Sequence, residues 1–123
     1  MDKRALICED DPAIRSLVKT VISRLGFHVD VAPDGEAGIA KMKEDCHELV
    51  VLDLMMPGVD GYGVIEWLKN TRPTTIARVI VMTAASEALR KDFPEPICTL
   101  LPKPFDIEAL TSAVRDCAAE CGG

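Results

Sequence analysis

Apolar positions along this chain follow two different periods. Five short runs rich in aliphatic and β-branched residues, RALIC (4–8), HVDVA (28–32), ELVVLDL (48–54), ARVIVM (77–82) and ICTLL (97–101), have the length and composition of strands. Between and after them, apolar residues recur at helical spacing, so strand and helix alternate five times. The first helix carries Ile14, Leu17, Val18, Val21, Ile22 and Leu25 as one stripe, with Asp11 as its N-cap, Pro12 tolerated at its start and Gly26 ending it. A second helix is expected over 35–45, where Gly38 costs about 1 kcal/mol relative to alanine. A third follows PGVDGYG, capped by Asp60 and facing the sheet with Val64, Ile65 and Leu68. The fourth, at 86–92, has room for only two turns before FPEP breaks it. The fifth, at 106–120, starts at Asp106 and carries Ile107, Leu110, Val114 and Cys117 on one face.

Five such units predict an α/β fold: a parallel sheet covered by helices on both faces. The most uniformly apolar runs, 48–54 and 77–82, belong at its centre, whereas the alternation in HVDVA fits an edge. In doubly wound sheets, sites form beyond the carboxyl ends of the strands. With 123 residues there is one domain, taken as 1–121, and the final 122–123 are a frayed end or the start of a linker.

Charge narrows the classes of partner. Twenty acidic against fourteen basic residues leave a formal net charge of -6, and no Lys/Arg run with interleaved aromatics offsets it, so direct nucleic-acid binding is not expected. The apolar run near the start is too short for a signal or membrane segment, which makes the cytoplasm the expected location. The cysteines, Cys8, Cys46, Cys98, Cys117 and Cys121, include no C-x-x-C pair. Cys8 and Cys98 fall inside expected strands and should pack as small hydrophobes. Cys117 and Cys121, one helical turn apart, are the pair that could share a metal or a redox event.

The chemistry gathers at strand ends. Glu9, Asp10 and Asp11 follow the first strand, Asp53 ends the third, Thr83 ends the fourth, and Lys103 comes just after the fifth. Asp11 is a helix cap, but Asp53 interrupts an apolar run and needs compensation if buried. Two carboxylates about 5 Å apart repel by about 3 kcal/mol at an effective dielectric of roughly 20. A hard divalent cation resolves that repulsion, normally Mg2+ with Mn2+ as a substitute, and it takes oxygen ligands and retains waters. Asp53 is then the candidate nucleophile for phosphorus, Asp10 and Glu9 the metal-site acids, and the Met55 backbone carbonyl a further ligand. Lys103 supplies a point charge for carboxylate and phosphate, and Thr83 a hydroxyl for a phosphoryl oxygen. The PKP sequence restricts the backbone at Lys103, and a cis bond before Pro104 is a way to aim its side chain.

With these residues in place, the chain resembles a receiver domain of the two-component response regulators. The resemblance rests on Glu9 and Asp10 followed by DPAIR, DLMMPGVDGYG from Asp53, VMTA at 81–84 and PKPF at 102–105, and it covers essentially the whole chain. It implies a flavodoxin-like five-stranded parallel sheet of order 2-1-3-4-5. It also implies phosphorylation of Asp53 by a sensor histidine kinase or histidine phosphotransfer protein. Such a domain promotes its own phosphorylation and slow dephosphorylation without being a classical turnover enzyme, and it passes the signal to a downstream protein. The resemblance places metal ligands at Glu9, Asp10, Asp53 and Met55, with Thr83 as the switch hydroxyl and Lys103 as the lysine of the site. The first helix and nearby loops are the expected docking surface, with Ile14 as an anchor, while Arg15 and Arg24 read as solvated.

Two departures fall away from the acids. Leu100 stands where many receivers have a switch aromatic, and the stretch between Thr83 and Leu100 is short, so the fourth helix must be stunted or displaced. These leave open a degenerate receiver that acts as a phosphorylation-independent interaction module. A metal-dependent phosphatase would need a second acid two residues after the nucleophile, where this chain has Met55. A flavin carrier would need a hydroxyl- and glycine-rich phosphate loop in place of the acids after the first strand.

Overall fold

Alternate residues of a strand point to opposite faces, and in this protein that alternation sorts the apolar side chains into two cores. A computed structural model describes residues 3–84 and 96–121. Its elements are β1 (Lys3–Cys8), α1 (Pro12–Arg24), β2 (Phe27–Ala32), α2 (Gly35–Glu44), β3 (Leu49–Asp53), α3 (Gly61–Thr71), a 3-10 helix (Pro73–Arg78), β4 (Val79–Ala84), β5 (Thr99–Lys103) and α4 (Ile107–Cys121). The strands form one parallel sheet in the order β2-β1-β3-β4-β5. Ala5, Ile7, Leu49, Val51, Ile80 and Met82 point to one face and pack against Val18 and Ile22 of α1 and Leu110 and Val114 of α4. Leu6, Cys8, Val50, Leu52, Val79 and Val81 point to the other, under Met42 of α2 and Val64, Ile65 and Leu68 of α3. All five residues of β3 are buried, as expected for a central strand covered on both sides.

Aspartates set the helix starts. Asp11 accepts the N–H of Ala13 at 2.8 Å and of Ile14 at 3.2 Å, and Pro12 occupies the first turn, where a missing N–H costs nothing. Asp60 accepts from Gly63 at 3.0 Å and Asp106 from Ala109 at 2.7 Å, both as the sequence predicts. Asp34 caps α2 by accepting from Ala37 at 2.8 Å, which the turn-like APDG stretch had concealed. Gly26, with φ +98°, ends α1 in the left-handed region open to glycine.

Several boundaries differ from the sequence pattern. The fourth strand starts at Val79, because Ala77 and Arg78 belong to the 3-10 helix that Pro73 initiates. The fifth is shifted toward Lys103 and includes Pro102, which an edge strand tolerates. The short helix expected at 86–92 lies outside the described residues.

Cys98 is not the free, strand-packed thiol that its apolar run suggests. Cys98 lies just before β5, and its sulfur is bonded to Cys117 of α4 (S–S 2.04 Å, Cα–Cα 5.9 Å). Its N–H donates to the Val79 carbonyl at 2.9 Å, which holds it beneath the helix that carries Cys117. Cys117 is therefore committed to Cys98, not to Cys121. Cys8 is the small buried hydrophobe expected, its thiol pushed up to about 12 by burial and then by the charge of Asp34.

At the opposite end of the sheet from the acids, Asp30 of β2 accepts from Arg4 at 3.3 Å and pairs with the buried His47 ring at 2.8 Å. Burial alone would raise the Asp30 carboxyl, but the His47 and Arg4 contacts outweigh it and hold the group below its ordinary value. None of the described helices is long and apolar enough to cross a membrane.

The turn from β3 into α3 is packed against backbone. Gly61 donates its N–H to the Leu54 carbonyl at 2.9 Å, and a Cβ on Gly61 would lie 2.6 Å from Leu54 Cα and 2.7 Å from the Asp53 carbonyl oxygen. Gly61→Ala should therefore cost about 1–3 kcal/mol as backbone is forced apart. Urea unfolding of the two proteins measures this, and an unchanged midpoint would contradict the close approach.

Candidate functional site

Four strand ends meet at one rim. Asp53 closes β3, Lys103 closes β5, Thr83 is the penultimate residue of β4, and Glu9 and Asp10 follow β1 directly. Parallel pairing in register brings these ends together: Cys8 sits opposite Leu52, Asp53 opposite Met82, and Ala84 opposite Lys103. Residues far apart in sequence thus converge because the sheet aligns its carboxyl ends.

Lys103 joins the acids. Its ammonium lies 2.8 Å from Glu9 Oε1 and 3.2 Å from Asp53 Oδ2. The bond before Pro104 is cis, as anticipated from the PKP sequence. Glu9 is fully buried, and its other oxygen accepts the Asp11 N–H at 3.1 Å. Asp53 is 5% exposed, and its Oδ1 accepts the Met55 N–H at 3.2 Å. Glu9, Asp10 and Asp53 can each offer a carboxylate oxygen within 4.8 Å of the others, with Asp10 exposed and the other two buried. This set fits a hard cation with oxygen ligands and an open, watered side.

Charge balance sets the electrostatics. With all three carboxylates ionised, the one ammonium that bridges two of them would leave an excess of two negative charges. Burial pushes Glu9 up to about 7; the Lys103 and Asp11 hydrogen bonds oppose the rise, and Asp53 adds to it. Burial would lower Lys103, but Glu9 and Asp53 together outweigh that and raise it, so the lysine stays charged. Thr83 is 1% exposed, and its Oγ1 has no hydrogen-bond partner among the described residues. A buried hydroxyl left unpaired is costly, and here it sits on the strand beside Asp53.

The rim therefore brings together Glu9, Asp10, Asp53 and Lys103 as the sequence predicted, with Thr83 on the adjoining strand. Met55 contributes an N–H to Asp53, and its side chain is exposed. Arg15 is not simply solvated: its guanidinium donates to the Glu9 carbonyl at 3.0 Å and so braces the turn that presents the acids. Beside Asp53 opens a cavity of about 430 Å³, walled by Ile14, Leu17, Pro104 and Phe105 and floored by Asp53 and Lys103.

The buried excess charge has a consequence for metal-free protein. Because folding raises the Glu9 carboxyl, its contribution to stability is complete below its ordinary value of 4.5 and is lost as pH rises through about 7. A Glu9→Gln variant has no such charge to bury. In chelator it should match wild type at low pH and exceed it by on the order of 1–3 kcal/mol above pH 7. Denaturant titrations across pH measure the gap, and one that fails to widen with pH would refute the assignment.

The response regulator receiver domain family matches residues 5–115. The chain is 37% identical over 114 residues to the DNA-binding dual master transcriptional regulator RpaA of Synechocystis sp., covering 91% of this chain and 47% of that protein. It is 32% identical over 115 residues to a probable chemotaxis protein CheY of Rhizobium etli, covering 91% of this chain and 89% of that one. Several of the curated relatives are about twice as long as the matched segment. Among solved structures, response regulator protein TrrA of Thermotoga maritima, in complex with Mg2+ and BeF, superposes with a TM-score of 0.81 at 30% identity, covering 94% of this chain and 98% of that one. A receiver domain from Methanospirillum hungatei shares the fold with a TM-score of 0.86 at 24% identity. A family match over residues 5–115, together with 32% identity to a relative covered over 89% of its length, establishes that this chain belongs to the response regulator receiver domain family.

Proposed function

We propose that Asp53 accepts a phosphoryl group from the phosphohistidine of a sensor histidine kinase or histidine phosphotransfer protein, in a reaction that requires Mg2+. The observation that carries this reading is Lys103 held between Glu9 and Asp53, with an unpaired Thr83 hydroxyl on the next strand. An Asp53 carboxylate oxygen attacks phosphorus as the P–N bond to the donor imidazole breaks, and the electron pair returns to the ring. Asp10 and Asp53 would hold the cation with the Met55 carbonyl, and Glu9 would contribute through water. When bound, the cation neutralises charge on the phosphoryl oxygens.

The remaining roles fall to side chains already in place. The Lys103 ammonium transfers its pairing from carboxylate to phosphoryl oxygen, a short movement for a long flexible side chain. Thr83 donates its hydroxyl to another phosphoryl oxygen and so gains the partner it lacks. The apolar walls of the cavity, Ile14, Leu17, Pro104 and Phe105, are where a donor domain would seat its histidine-bearing helix. Leu17 is 40% exposed, so α1 presents apolar surface beside the acids. Output passes to a downstream protein or an attached domain, as the greater length of the relatives accords with.

The test is intact mass after incubation with Mg2+ and acetyl phosphate. Wild type should gain about 80 Da, and the gain should vanish in Asp53→Asn and in chelator. Asp10→Asn should lower the initial rate at subsaturating Mg2+ by at least about tenfold, with partial recovery at high Mg2+. Equal labelling of wild type and Asp53→Asn would overturn the proposal.

A further inference from the structure

We propose that Cys98 and Cys117 form a reversible thiol–disulfide site at the base of the sheet, exchanging with small thiols and setting how firmly α4 is held on β5. Placement is the first reason. Cys98 precedes β5 and its N–H is tied to Val79 at the start of β4, so the bond lies at the amino end of the strands. Lys103 lies five residues further along, roughly 17 Å away at the rise of an extended strand. The ring of residues 98–117 that the disulfide closes encloses all of β5 and most of α4.

Both redox states are accommodated. Cys117 is fully buried among Ile80, Leu110 and Val114, and Cys98 packs against the same core. Reduction would leave two thiols that behave as small hydrophobes, not a buried charge. Two apolar cores and four aspartate caps also support the fold, whereas small disulfide-built folds lack cores of this size.

Access is unequal, which orders the reaction. Cys98 is half-buried and Cys117 fully buried, which makes the Cys98 sulfur the proposed point of attack for an incoming thiolate. A new S–S bond forms there as the Cys98–Cys117 bond breaks, and the electron pair leaves on Cys117 Sγ, which takes a proton from water. A second small thiolate attacks the outer sulfur of the mixed disulfide and releases the Cys98 thiolate, which is protonated in turn. The protein gains two electrons and two protons, and two small thiols become one small disulfide. Oxidation is the reverse, with the small disulfide as oxidant. Competing shuffles are limited: Cys8 is buried and its thiol pushed up to about 12, and Cys46 follows α2, which covers the opposite face.

The experiment equilibrates the full chain in glutathione buffers running from fully oxidised to fully reduced, followed by acid quench, alkylation and peptide mapping. Cys98 and Cys117 should pass together from wholly paired to wholly free in one two-electron step. Hydrogen exchange in parallel should show amides of α4 exchanging more than about tenfold faster in the reduced protein, with those of β1 and β3 unchanged. Cys98→Ser, at the half-buried position, should show the fast α4 rate in every buffer. Four results would each overturn the proposal: pairing that survives the most reducing buffer in folded protein, thiols that stay free in the most oxidising one, Cys117 paired with Cys121, or α4 exchange that is the same in both states.

Discussion

One ammonium holds the working end of this domain together. Lys103, carried on an edge strand, reaches two buried carboxylates at the carboxyl ends of the inner strands β1 and β3, and the contact to Glu9 spans 94 positions of sequence. Without it, two carboxylates would face each other across a low-dielectric gap. With it, the strand ends of β1, β3 and β5 are clamped, yet the balance remains negative because Asp10 stands alongside. The fold thus stops short of neutralising its own rim. That shortfall makes the site receptive to a divalent cation and not only a local ion-pair network.

The architecture explains why such an excess is tolerated. β3 is buried along its whole length, and both faces of the sheet are sealed by separate apolar clusters. Each fully buried Leu or Ile contributes about 1.5–3 kcal/mol, so a rim that costs a few kcal/mol is carried by the cores below it. Function is therefore confined to the strand ends, while the strands themselves serve packing. Gly61 marks the seam: the chain leaving Asp53 folds back so closely that a side chain there would meet backbone.

Much of this was legible in the sequence, for identifiable reasons. Asp53 stood out because a carboxylate breaks an apolar run, and Lys103 because prolines flank it. The strand order came with the family resemblance, not from periodicity. Less was legible where partners are set by a small shift in three dimensions. β5 starts two residues later than its apolar run, which places Cys98 outside the strand and against Cys117. Asp30 looked like the polar half of an edge-strand alternation, whereas its partners come from Arg4 and His47, neither close in sequence. Arg15 looked solvated because its acceptor is a backbone carbonyl, which carries no residue signature.

Asp11, Asp34, Asp60 and Asp106 all stand where a helix begins after a strand, so parallel topology gathers them on the same edge as the acids. Each lies against the partial positive charge of a helix start and largely cancels it. The long-range potential over that edge is then governed by the carboxylate cluster, which draws small cations inward and slows the approach of free polyanions. Any anion approaching that edge therefore meets a field that a neutralising partner surface or a bound cation would relieve, and the way the helices start is part of what sets it.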